Sequence, residues 1–290
     1  MTMQSRRKLL TGAAALAAYA ALGHNGGPAL DDVAQAGVPF FRAPANPFTI
    51  LGSSVAAWWC AQDYVRMTDD GSGLISNWND RVTALSVTAT TTARPTWGAT
   101  SFNGTFPGLT FDGVANCLLT STLTALPTGA NAGEIWALCT QVSAQTSTVA
   151  AYGAITAGQL RRVSASGTFH PFVTDGTTNN QDAGANLLSS PAIVSGQFFS
   201  TTENGWINGT AFTPNPTTIG SLNTGTTRLR IGASNSTSAA SFFGGVISDV
   251  MVISGTLSTS QRQQLEGFFA WNRGLVASLP NGHPYQGAPP

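Results

Sequence analysis

The chain has 290 residues, a length that an all-β sandwich of roughly 200 to 250 residues can occupy as one domain, and only 9 % of them are charged, against roughly 25 % in ordinary soluble proteins. Formal net charge is zero and lysine occurs once, at Lys8, which excludes a nucleic-acid binder acting by bulk charge, because neutralising phosphates needs a cationic face. A hydrophobic content of 42 % with 7 Trp and 15 Phe excludes disorder for most of the chain, while 37 Thr, 26 Ser and 32 Gly supply the solvation that ions usually provide.

Residues 1–50 differ from the rest. Ser5-Arg6-Arg7-Lys8 precedes an Ala-rich apolar run from Leu9 to Leu22, about 14 residues and so short of the roughly 20 that a membrane-spanning helix needs. Two readings stand side by side. Positive charge followed by an apolar run is the order of a twin-arginine export signal, with Ala34-Gln35-Ala36 as a small-x-small cleavage site. Alternatively the segment is a retained assembly arm. Its high helix propensity would then present Leu9, Leu10, Leu16, Tyr19 and Leu22 to a neighbouring subunit, ahead of a strap containing Pro39, Pro44 and Pro47.

From residue 51 to 290 the pattern is β. Short runs rich in Val, Ile, Thr, Phe and Trp alternate with Gly, Asn, Asp and Pro at sandwich spacing: Val55 to Cys60, Gly108 to Phe111, Cys117 to Thr122, Glu134 to Val142, Ala192 to Ser200, Leu229 to Gly232 and Gly245 to Ser254. Asn208-Gly209, between Trp206-Ile207 and Thr210 to Phe212, predicts a hairpin with a type I′ turn. One helix is predicted near the C-terminus. Ser258 with Gln261, and Ser260 with Gln263, offer two capping-box registers; Leu265, Phe268 and Phe269 form an apolar stripe, Arg262 and Glu266 pair at i, i+4, and Gly274 is placed to end the helix.

The order of several motifs resembles that of laminin-G-like, concanavalin A-type jelly rolls of bacterial and phage proteins. They are Ala57-Trp58-Trp59-Cys60-Ala61-Gln62-Asp63, Asp70-Gly71-Ser72-Gly73, Ile75-Ser76-Asn77-Trp78-Asn79-Asp80-Arg81, Arg94-Pro95-Thr96-Trp97, Leu109-Thr110-Phe111-Asp112-Gly113, Trp206-Ile207-Asn208-Gly209, Arg230-Ile231-Gly232 and the stretch Phe243 to Val250. The tail Leu279-Pro280-Asn281-Gly282-His283-Pro284-Tyr285 is similar to the ends of such domains in phage structural proteins, and Gly23 to Pro28 resembles short N-terminal segments of phage proteins. The resemblance implies a two-sheet antiparallel sandwich that binds carbohydrate or protein, sometimes with calcium. Function does not follow from the scaffold alone.

Catalysis would require residues that the sequence does not bring together. A glycosidase needs two carboxylates about 5 to 9.5 Å apart, yet the chain has three isolated glutamates, Glu134, Glu203 and Glu266. Of the histidines, only His170 is inside the body, before Pro171 in an expected turn. No catalytic residue is therefore assigned, with a glycan-degrading enzyme as a third reading. No cofactor is expected; the candidate calcium ligands are Asp69 and Asp70, whose loop composition equally makes an Asx turn. Candidate ligand-binding residues are Asp175, Asn179, Asn180 and Asp182, able to hydrogen-bond sugar hydroxyls, with Trp206 stacking on a sugar face. Cys60, Cys117 and Cys139 read as three buried thiols, or as one disulfide with a thiol left over. The expected function is a non-enzymatic phage virion subunit (capsid decoration, head fibre or tail-associated) on the virion surface. It would be homo-oligomeric, joined to other subunits by its arm and touching host polysaccharide. The alternative is a twin-arginine-exported periplasmic or cell-surface carbohydrate-binding protein.

Overall fold

The computed structural model describes residues 46–290 except 122, 144, 155–158, 166–168, 175–178, 182–187, 200, 214–221, 227 and 235–238. The described body opens with helix α1 (Pro47–Leu51), capped by Asn46, whose side chain accepts from Phe48 N at 2.9 Å and Thr49 N at 3.0 Å. Pro47 at the first helical position and Leu51 at the last are buried, so the packed body begins within the Pro-rich strap. Strands follow in chain order: β1 (Val55–Cys60), β2 (Met67–Asp69), β3 (Ile75–Asn79), β4 (Ser86–Thr88), β5 (Thr96–Phe102), β6 (Phe106–Asp112), β7 (Leu118–Thr120), β8 (Gly133–Gln141) and β9 (Ser147–Ala154). The second half carries β10 (Gln159–Ala165), β11 (Phe169–Thr174), β12 (Asn179–Gln181), β13 (Ala192–Phe199), β14 (Thr202–Ile207), β15 (Thr210–Ala211), β16 (Leu229–Ile231) and β17 (Gly244–Ser254), then helix α2 (Thr259–Asn272).

These strands make an all-β, two-sheet antiparallel sandwich of jelly-roll type. The first sheet runs β15-β14-β13-β8-β17-β6-β5, with β1 on the same side of β17 as β6; the second runs β12-β11-β10-β9-β16-β7-β4-β3-β2. Strand periodicity explains the continuous apolar runs at the centre of the first sheet. In β1, Ala57 and Trp59 join the core between the sheets while Trp58 and Cys60 join a second core on the outer face. In β8, Ile135, Ala137 and Cys139 face inward and Trp136 and Leu138 outward. A strand buried on both faces has no polar phase, and each such Leu or Ile contributes roughly 1.5–3 kcal/mol of burial.

What covers the outer face is α2. Ser258 caps it, accepting from Gln261 N at 3.3 Å while the Gln261 side chain accepts from Ser258 N at 3.1 Å; the helix ends before Gly274, in a left-handed conformation at φ 65°. Leu265, Phe269 and Ala270 pack on Trp136, Leu138, Met251 and Ile253. The predicted hairpin forms at Asn208 (φ 49°) and Gly209 (φ 85°), the positive pair that a type I′ turn demands. His170 lies in mid-strand rather than in a turn: β11 pairs with β10 through His170↔Ser164 and Pro171↔Val163. Pro171 is tolerated because β12 pairs only with Phe172, Val173 and Thr174, leaving the proline one ladder to serve.

Candidate functional site

Cross-strand register aligns two polar rows on the outer face of the first sheet. Glu134, Gln197 and Asn204 form one, and Trp136, Ser195 and Trp206 the next. Glu134 is 1 % exposed and accepts from Trp136 Nε1 at 2.7 Å, Gln197 Nε2 at 2.8 Å and Leu257 N at 2.7 Å. Burial pushes its carboxyl above the ordinary range, and those three donors together with the Arg262 charge pull against it. Arg262 lies 4.7 Å over the Trp206 ring and bonds Glu266 at 2.6 Å. Glu266 in turn meets His283 Nε2 at 3.0 Å. Tyr285 N donates to His283 Nδ1 at 3.3 Å, so in the neutral ring the proton is on Nε2 and is donated to Glu266. This chain of contacts straps the C-terminal tail across α2.

Farther along the same face Arg273, 2 % exposed, pairs with Asp249 at 2.9 Å and donates to Cys60 Sγ at 3.3 Å, while Trp58 Nε1 donates to Asp249 at 3.0 Å. These charges hold structure together. Glu203, also 2 % exposed, is buried on β14.

Trp206 thus sits beneath α2. Asn179 and Asn180 belong to β12, at the edge of the second sheet. Asp175 and Asp182 lie outside the described residues, as do the arm residues Leu9, Leu10, Leu16, Tyr19 and Leu22. Asp69 and Asp70 form consecutive Asx turns: Asp69 accepts from Gly71 N, and Asp70 accepts from Ser72 N at 3.0 Å and Ser72 Oγ at 2.6 Å. The Ser72 hydroxyl and amide hold the Asp70 carboxyl below its ordinary range, with Arg94 3.4 Å away. Among the described residues no group of three His, Cys, Asp or Glu side chains is placed to hold a metal. All three cysteines are free thiols. Cys60 and Cys139 belong to the cores on opposite faces of the first sheet and Cys117 adjoins β7 of the second.

Motif reading missed a recess of about 420 Å³ on the second sheet, lined by Thr83, Leu85, Ser86, Thr120, Thr124 and Ala125. Its origin is a ladder that stops early. β4 and β7 share one pair, Thr88↔Leu119, and beyond it the strands part. Asp80, fully buried, builds the wall: it accepts from Val82 N at 2.6 Å, Thr83 N at 3.0 Å, Thr83 Oγ1 at 3.0 Å and Leu85 N. Trp59 Nε1 donates to Leu85 O at 3.2 Å, tying that wall to the core. An Asp three residues before a Thr at a strand end was a visible signal for the loop. The gap depends on how β4 and β7 diverge, which local sequence does not encode.

No family model and no curated protein matches the chain. Solved structures do share its fold. Trypanosoma rangeli sialidase in complex with a difluorinated keto-deoxy-nononic acid superposes with a TM-score of 0.54 at 13 % identity, over 77 % of this chain and 33 % of that one. The botulinum neurotoxin serotype D binding domain gives a TM-score of 0.51 at 8 % identity, over 76 % of this chain and 52 % of its own. The chain therefore spans about a third to a half of these proteins. At such identities the likeness defines the class, a jelly-roll-like β-sandwich.

Proposed function

We propose that the chain is a non-enzymatic sandwich that binds host-surface glycans, displayed as a structural subunit of a phage particle. The observation that carries the non-enzymatic reading is the fate of the glutamates: Glu134, Glu203 and Glu266 are each at most 2 % exposed, and Glu134 and Glu266 are bonded to groups that hold α2 and the tail. Most glycosidases present two carboxylates, from Asp or Glu, to their substrate, and none of the three glutamates is so presented. Both helices pack on the first sheet side, against β1 and β13, so a ligand meets the second sheet, whose outer face carries Asn77, Asn79, Ser86 and Thr88 by register. Glycan contact is favoured by this uncharged amide and hydroxyl surface, and by the occurrence of the fold in a sialidase. The particle assignment rests on the phage-like tail and the apolar arm of the sequence. It is tested by density-gradient fractionation of particles from the native source: the protein is expected to band with intact virions, and its recovery solely in a cell-envelope fraction would overturn the assignment in favour of the exported bacterial protein.

A further inference from the structure

We infer that the recess between β4 and β7 is a binding site for neutral sugar, one or two hexose units of a glycan, held by hydroxyls, the backbone edge of β4 and the apolar side chains of the lining. The inference deepens the glycan-binding reading and rests on it. A volume of about 420 Å³ lies within the roughly 300–1,000 Å³ of small-molecule sites.

The lining matches a sugar group by group. Thr83, Ser86, Thr120 and Thr124 bring hydroxyl-bearing side chains to the lining, while Ala84, Ala125 and the part of Leu85 that the core leaves uncovered bring the apolar surface on which the C–H face of a pyranose rests. Thr83 Oγ1 donates to Asp80 and Ser86 Oγ to Asn77. Each of these two oxygens keeps an accepting lone pair for a sugar O–H. The ladder supplies more. Asp80 N donates to Leu85 O at 3.0 Å and Ala89 N to Ser76 O at 3.0 Å, so in the antiparallel alternation Ser86 directs its N–H and C=O away from β3, toward β7. There the β4–β7 ladder has already ended at Thr88↔Leu119. A donor and an acceptor on one residue of a paired strand suit a pair of vicinal hydroxyls.

Charge decides the ligand class. No lining side chain ionises. The two nearest charged residues in sequence are committed elsewhere: Asp80 is fully buried under the loop amides, and Arg81 stacks 4.0 Å over Trp58 and bonds Asp63 at 2.6 Å. With no cation in the lining itself, an acidic sugar would give up hydration of its carboxylate to a wall of hydroxyls and apolar groups, so a neutral sugar is the better match. The wall is also preorganised, because Asp80 has fixed the loop before any ligand arrives, which reduces the ordering cost of binding.

The test is calorimetric titration of the full chain with neutral oligosaccharides of glucose, galactose and mannose, with 3′-sialyllactose as the acidic arm. It is repeated on Thr124→Trp, which fills the recess from an exposed position, and on Ser86→Ala. The expected result is binding of at least one neutral oligosaccharide, at least tenfold weaker in Thr124→Trp and several-fold weaker in Ser86→Ala, with melting temperatures close to the parent's. Should Thr124→Trp fold poorly, Ser86→Ala decides. Neutral binding that survives both substitutions, or a preference for sialyllactose, overturns the site while leaving the glycan-binding reading standing. Failure of the parent chain to bind any glycan overturns both.

Discussion

Asp112 accepts three backbone N–H groups at 2.9 Å, from Val114, Ala115 and Asn116, and so closes the loop after β6. Partial burial raises its pKa, but those bonds outweigh it and hold the carboxyl below its ordinary 3.8. A folded-state pKa below the unfolded one means that the contribution to stability is present above pH 3.8 and is lost as pH falls through the folded value. Asp112→Asn should therefore be less stable than the parent at pH 7, and the difference should shrink in thermal melts below about pH 3.8; an unchanged gap at low pH would contradict this. Residue-level signals were legible wherever geometry is local. Asn208-Gly209, Ser258 with Gln261 and Gly274 all adopt the conformations their spacing predicts. Glu134 was not legible as a structural group, because its partners Gln197 and Leu257 lie far along the chain, whereas Asp80 is bonded within five residues, by Val82, Thr83 and Leu85.

At the scale of elements, α2 and the tail form one unit. A Cβ built on Gly267 would lie 2.5 Å from Tyr285 Cβ and 2.7 Å from its Cγ, so the helix tolerates glycine in mid-run to let the tail pass. Gly267→Ala sets a gain in helix propensity of up to about 1 kcal/mol against overpacking of about 1–3 kcal/mol. Net destabilisation is expected in chemical denaturation, and a stabilised variant would show that the tail is loosely held. The strands foreseen, such as β1, β8, β13 and β17, are those whose apolar runs are buried on one or both faces. Of those not singled out, β5, β9, β10 and β11 run to six to eight residues, whereas β2, β4 and β12 have three residues each and Asn and Ser occupy much of β3. Their pairing comes from neighbours rather than from propensity. Likewise α1, only five residues long, exists through its Asn46 cap and its packing on β1.

For the whole molecule, the three thiols report on packing. Burial pushes Cys139 up to about 12 and raises Cys60 and Cys117 as well, and Cys60 and Cys139 are fully enclosed. Native protein at pH 8 should react with a thiol reagent at no more than one site, the half-buried Cys117, whereas denatured protein should show all three; two missing thiols after denaturation would mean a disulfide and a different packing. The charge deficit fits the same picture, since among the described residues Arg66, Arg81, Arg94, Arg262 and Arg273 are held in ion pairs with acids, and Thr, Ser and Asn meet solvent and ligand. The two-sheet class was legible from strand spacing and motif order, whereas the recess was not, because a missing ladder between two strands leaves no motif behind. The most direct measurement of the central claim, a sandwich that binds a glycan and does not cut it, is native mass spectrometry of the full chain after overnight incubation with neutral oligosaccharides. The prediction is a complex whose added mass equals that of the intact oligosaccharide, with no shortened sugars released. Cleaved sugars, or no complex with any of them, would contradict it.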